Sequence, residues 1–159
     1  MSNPVQDFAA LARKYCEWVD AEPGWGSDDI ATAHELLVKL LAAGIELPQG
    51  KPTGAAEAAK ENVRELMERM KKRFADLPVQ DYWEINDPVA AANEEEKRKP
   101  TALYLWEVLM DIYIELKAGL YFYDQQLEGD ACVQWRVSFD THWERLTLSA
   151  LRAVYAETW

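Results

Sequence analysis

The chain has 159 residues, about the size of one domain, and its 49% hydrophobic content with seven tryptophans excludes a disordered chain. Its 28 acidic against 17 basic residues give a formal net charge of -11. That balance argues against nucleic acid and against an anionic membrane surface, since both need clustered Lys and Arg; it leaves a basic protein partner, a cation or plain solubility.

Asn3 and Pro4 read as a helix cap followed by proline at the first helical position, and Phe8, Leu11, Tyr15, Trp18 and Val19 recur at helical spacing. They predict a first helix over 4–22, broken by Pro23, Gly24 and Gly26. Ser27 is expected to cap a second helix over 28–43, with Asp28 and Asp29 against its dipole and Gly44 at its end. Its inner face is Ile30, Ala33, Leu36, Leu37, Leu40 and Leu41. After a Pro- and Gly-containing loop, Thr53 is expected to cap a third helix over 54–75. Val63, Leu66, Met70 and Phe74 would face inward, with alternating Glu and Lys/Arg outward and Lys71, Lys72 and Arg73 at the negative end.

From 76 to 100 no period holds, and Pro78, Asn86-Asp87-Pro88 and a charge run over 94–99 make a long connection. Tyr82, Trp83 and Ile85 would tether it, as a plain strap or as a lid. Thr101 is expected to open a fourth helix over 101–126, and Asp130 to cap a fifth over 131–157. The short turn between them forces an antiparallel hairpin. The reading is an all-α, single-domain bundle of about five helices with that hairpin at its centre. The first residues lack a basic region followed by an apolar stretch, and no apolar run approaches the roughly 18 residues of a membrane span, so a cytoplasmic location is expected. Cys16 and Cys132 have no partner at motif spacing and are expected to be buried as small hydrophobes.

The fourth helix is apolar almost all round, as a central helix is. Glu107, Asp111 and Glu115, at i, i+4 and i+8, are the exception. They are either its wet stripe or a carboxylate cluster facing a cleft, with a basic ligand or a metal as counter-charge. On the fifth helix, His142 shares a stripe with Trp135, Phe139, Leu146 and Ala153, with Trp143 at its flank. Tyr113 and Arg136 complete a candidate polar site of Glu107, Asp111, Tyr113, Glu115, Arg136, His142 and Trp143. Val133, Val137, Leu148, Leu151 and Tyr155 make a weaker second stripe, which would either pair two copies of the chain or pack on the N-terminal helices.

The run Asp111-Ile112-Tyr113-Ile114-Glu115-Leu116-Lys117-Ala118-Gly119-Leu120, followed by Trp135, Phe139, His142-Trp143 and Ala150-Leu151, resembles the C-terminal signature of a bacterial family of uncharacterised all-helical domains. Tyr82-Trp83-Glu84 to Asp87-Pro88 is similar to that family's connecting segment. The resemblance covers roughly the second half of the chain; it implies a helical fold and brings no activity with it. In that family the His-Trp pair is followed by Gly and a second His, where this chain has Glu144, Arg145 and Leu146.

Several chemistries are excluded by composition. Two histidines, His34 and His142, cannot make a three-histidine metal site, and no Glu-x-x-His of the di-iron bundles occurs. Glu61, Glu65 and Glu68 could pair with the helix-four acids as in helical pyrophosphohydrolases, but they interleave with basic residues as on a solvated face. No Gly-rich phosphate loop is present, and no cofactor is expected. Two functions remain: a non-enzymatic interaction module of the adaptor or immunity type, or a small-molecule or metal-dependent enzyme using the acidic ladder with His142.

Overall fold

The computed structural model describes every residue except Ser27, Ala55, Ala56 and Trp159. Asn3 keeps an extended backbone while its side-chain oxygen accepts from the N–H groups of Val5 and Gln6, so α1 (Pro4–Val19) begins where the sequence places it. α2 spans Asp29–Ile45; the expected cap, Ser27, lies outside the described residues. Gly44 stays inside α2 rather than ending it. A Cβ there would meet the Phe139 ring at 2.5 Å, so its role is close approach between helices.

The third helix is shorter than expected: α3 covers Val63–Arg73, with the Asn62 side chain accepting from Glu65 N–H. Thr53 does not cap it. Its N–H and hydroxyl instead donate to the Asp130 carboxylate at 3.0 and 2.7 Å, tying the preceding segment to the start of the fifth helix. Residues 57–62 are helix-forming in composition but non-helical; a propensity of a few tenths of a kcal/mol per residue is a weak preference.

The chain is not purely helical. β1 (Asp81–Ile85) pairs antiparallel with β2 (Pro100–Tyr104), Trp83 opposite Ala102. Tyr82 and Glu84 turn inward, while Asp81, Trp83 and Ile85 face solvent: the period of two expected of a half-buried strand, in a stretch too short to reveal it. β2 runs directly into α4 (Leu105–Tyr123), and Leu105 N–H donates to Gln80 O, so Thr101 belongs to a strand rather than a helix start. One 3₁₀ turn, Glu95–Arg98, lies between the strands.

The fifth helix starts at Glu128, before the expected Asp130, and is interrupted: α5 (Glu128–Ser138), a π turn (Phe139–Trp143) and α6 (Glu144–Thr158) succeed one another without a gap. A π turn adds one residue to the repeat, rotating the downstream helix by about 100° relative to an unbroken one. It also divides the expected second stripe: Val137, Leu148 and Tyr155 are exposed, whereas Leu151 is partly buried against the core. Trp135 and Trp143 form the centre, fully buried, with Phe8 at 4.9 Å and 5.9 Å from their rings. Both cysteines are free and buried, and burial pushes the Cys16 thiol up to about 12. Among the described residues, no helix is long and apolar enough to cross a membrane.

Candidate functional site

Helical spacing stacks Glu107, Asp111 and Glu115 on one side of α4, all half-buried. The π turn brings His142 against the last of them, with Nδ1 2.9 Å from Glu115 Oε1. The other Glu115 oxygen accepts from Gln134 Nε2 at 3.3 Å. The Glu115 side chain is 21% exposed and that of His142 is 42% exposed, so the pair lines an open seam rather than a sealed interior. A cavity of about 570 Å³ is lined by Gln134, Ser138 and Thr141, with none of Glu107, Asp111, Glu115 and His142 in its lining.

Asp111 lies between these groups. Burial raises its carboxyl above the ordinary range; the His142 imidazole opposes that, and the negative charges of Glu107 and Glu115 add to it. No Lys or Arg appears among the groups that act on it. The ladder therefore carries three carboxylates against one imidazole. Spread over eight residues, it extends roughly 12 Å along the helix, too far to close on one ion. Among the described residues no three His, Cys, Asp or Glu side chains converge as a metal site requires.

The other three predicted site residues lie apart from this seam. The Tyr113 hydroxyl donates to Asp20 at 3.0 Å and accepts from Arg69 at 3.1 Å, with Lys117 5.4 Å from its ring. Burial first, then the Asp20 charge, pushes that hydroxyl well above its usual value. Arg136 holds the end of α2: its NH1 donates to the carbonyls of Gly44, Ile45 and Leu47 at 3.1–3.3 Å, and its NH2 pairs with Asp140 at 2.9 Å. α2 has no basic residue in its own last turn, so Arg136 supplies the charge that its C-terminus attracts. Trp143 is core; its indole N–H donates to Ser138 Oγ at 3.1 Å across the π turn.

Sequence reading misses two polar groups. Tyr82 and Ser149 share a hydrogen bond of 2.5 Å, and Ser149 donates to Glu84 at 2.9 Å, docking β1 on α6. Arg73, read as the end of a solvated run, is buried: it donates to Trp18 O at 3.1 Å and to Gly24 O at 2.5 Å, 3.6 Å from Asp29. Its ring neighbours, Trp18 and Phe74, lie 5.6 and 5.1 Å from the guanidinium. The following Phe74 is the sequence neighbour that separates it from Lys71 and Lys72.

Fold and site together define a helical protein with a docked β-hairpin and an acidic seam between α4 and the π turn. The family model described as "Domain of unknown function (DUF5063)" matches residues 1–157, and the chain belongs to that family. Among solved structures it is similar to protein BF1032 from Bacteroides fragilis, with a TM-score of 0.76 and 16% identity, over 100% of this chain and 97% of that one. At that identity the likeness concerns the fold alone. A search of curated proteins finds no match.

Proposed function

We propose that the chain is a protein-interaction module that receives a basic segment of a partner protein on the seam formed by Glu107, Asp111, Glu115 and His142. The observation that carries this reading is the geometry of the seam: three half-buried carboxylates stacked along one side of α4, faced by the His142 imidazole 2.9 Å from Glu115. A Lys or Arg from outside supplies the missing counter-charge, and the net charge of -11 steers a basic partner toward the protein. The test is an NMR titration of the full chain with an Arg- and Lys-rich peptide, read at the α4 and π-turn amides and repeated on a Glu107→Gln/Asp111→Asn/Glu115→Gln variant. Salt-sensitive shifts confined to the seam, and lost in the variant, support the proposal. Shifts that survive the triple substitution refute it.

The His142–Glu115 distance of 2.9 Å favours a second reading, acid–base chemistry on a small molecule at the open seam. A carboxylate on Nδ1 orients an imidazole so that Nε2 can exchange a proton with a ligand. The two readings part at His142→Gln, which leaves the acidic ladder to bind a peptide but removes the proton carrier.

A further inference from the structure

We propose that a second cavity, enclosed by α1, α4 and residues 58–63, binds a small organic anion with an apolar body. This proposal is independent of the acidic seam. The cavity measures about 540 Å³, within the roughly 300–1,000 Å³ of small-molecule sites. Ile114, Ala118 and Leu120 of α4 form its floor, and Ala58 and Val63 its wall. Tyr121, also lining it, leaves much of its ring exposed for a flat ligand to lie against.

Charge at the mouth decides the ligand class. Among the lining residues Arg13, Lys60 and Lys117 stand against Asp124 and Glu61, in a chain whose acids outnumber its bases by 28 to 17. Asp124 is already engaged, since Arg13 binds both of its oxygens, at 2.5 and 3.4 Å. Lys117 Nζ is 3.7 Å from Asp20, a carboxylate outside the lining that is shared with Arg69 at 3.3 Å and with the Tyr113 hydroxyl, so the Lys117 ammonium can still donate to an incoming oxyanion. An acidic ligand therefore meets two lysines at this mouth, whereas the seam would repel it.

The wall also suits entry. Residues 57–62 stay out of α3 despite a helix-forming composition, and Ala58 alone of them is partly buried against the core. Such a cover opens without dismantling packed structure.

The probe is 8-anilinonaphthalene-1-sulfonate, an aromatic body with a sulfonate, titrated into the full chain by fluorescence; its neutral counterpart is N-phenyl-1-naphthylamine. One saturable site is expected for the sulfonate. Ala118→Trp, which fills the floor, is expected to weaken it by about tenfold or more, and Lys60→Gln/Lys117→Gln by several-fold. The neutral probe is expected to respond to Ala118→Trp and not to the lysine substitutions. Ala58→Trp gives a second cavity-filling variant should Ala118→Trp alter the urea midpoint. Absence of saturable sulfonate binding, or binding unchanged by both cavity-filling variants, overturns the site; equal response of the two probes to the lysine substitutions overturns the anionic ligand class.

Discussion

Gly119→Ala pits two calculable effects against each other. Glycine in a helix interior is about 1 kcal/mol worse than alanine, so propensity alone says that the substitution stabilises α4. The packing says otherwise. A Cβ at residue 119 would lie 2.0 Å from Trp135 Nε1 and 2.2 Å from Cε2. Trp135 is fully buried and its indole N–H donates to Leu116 O at 3.1 Å, so the ring cannot move aside without losing that bond and disturbing Phe8. Overpacking costs about 1–3 kcal/mol and a stranded buried donor about 1–3 kcal/mol, against the 1 kcal/mol gained. The expected net loss is about 1–5 kcal/mol, a fall of roughly 2–20 °C in Tm for a chain of this size. Urea denaturation read by tryptophan fluorescence measures it, with unchanged m as the sign of an unchanged fold. Gly54→Ala is the control: open space surrounds it, but its φ of +80 strains any side chain, so its cost is about 1–2 kcal/mol. A neutral or stabilising Gly119→Ala would mean that α4 and α5 do not approach as closely as Trp135 requires.

Arg73→Met removes the donors to Trp18 O and Gly24 O from a buried position and is expected to cost about 2–4 kcal/mol by urea denaturation; a midpoint within error of the wild type refutes the role. Asp29 is held below the ordinary carboxylate range: burial pushes it up, but the Gly26 N–H, the Trp18 indole and the Arg73 charge outweigh that. A lowered folded value means stability that is present above the unfolded value of about 3.9 and is lost as pH falls through the folded one. Asp29→Asn should therefore be less stable than wild type by about 1–2 kcal/mol at neutral pH, and the gap should close below about pH 4. Asp111 has the opposite sign. Its raised carboxyl destabilises the native state at neutral pH; the penalty begins to fade as pH falls through the folded value and is gone below the unfolded value of about 3.9. Asp111→Asn should stabilise by about 0.5 kcal/mol at neutral pH, the relief of two like-charge contacts at i±4, with the gain fading toward acid; a destabilised variant contradicts the placement of the ladder.

Long, strongly periodic elements are legible in the sequence: α1, α2 and the C-terminal pair arise from stripes of Leu, Ile and aromatic residues. Boundaries fail where tertiary contacts override local preference. The Thr53–Asp130 bonds anchor the chain ahead of the non-helical 57–62, and pairing with β1 takes 100–104 from the expected fourth helix. The hairpin escapes notice because its strands are five residues each and 14 residues separate them, so neither period nor turn chemistry marks it. Of the seven site residues, four meet in the seam. Tyr113 and Arg136 are claimed by Asp20 and by the end of α2, contacts that join distant parts of the chain and leave no trace in helical spacing.

His142 shows how one backbone irregularity separates core from site. In an unbroken helix the residues at 135, 139, 142 and 146 share a face, and the imidazole would lie among Trp135 and Phe139. The π turn gives that inward position to Trp143, whose indole N–H reaches Ser138 Oγ and Trp135 O inside the widened turn. His142 is thereby moved to the edge of the stripe, where Glu115 meets it. Deleting Thr141 removes the extra residue: the turn becomes α-helical, Trp143 and α6 keep their inward register, and the widened turn that sets His142 against Glu115 is lost. That change separates two origins of the seam. If the acidic ladder binds basic peptides through charge alone, binding should persist in the deletion variant in proportion to its folded fraction. If the π turn is what assembles the site, seam binding should be lost while the fold, read by far-UV circular dichroism, remains.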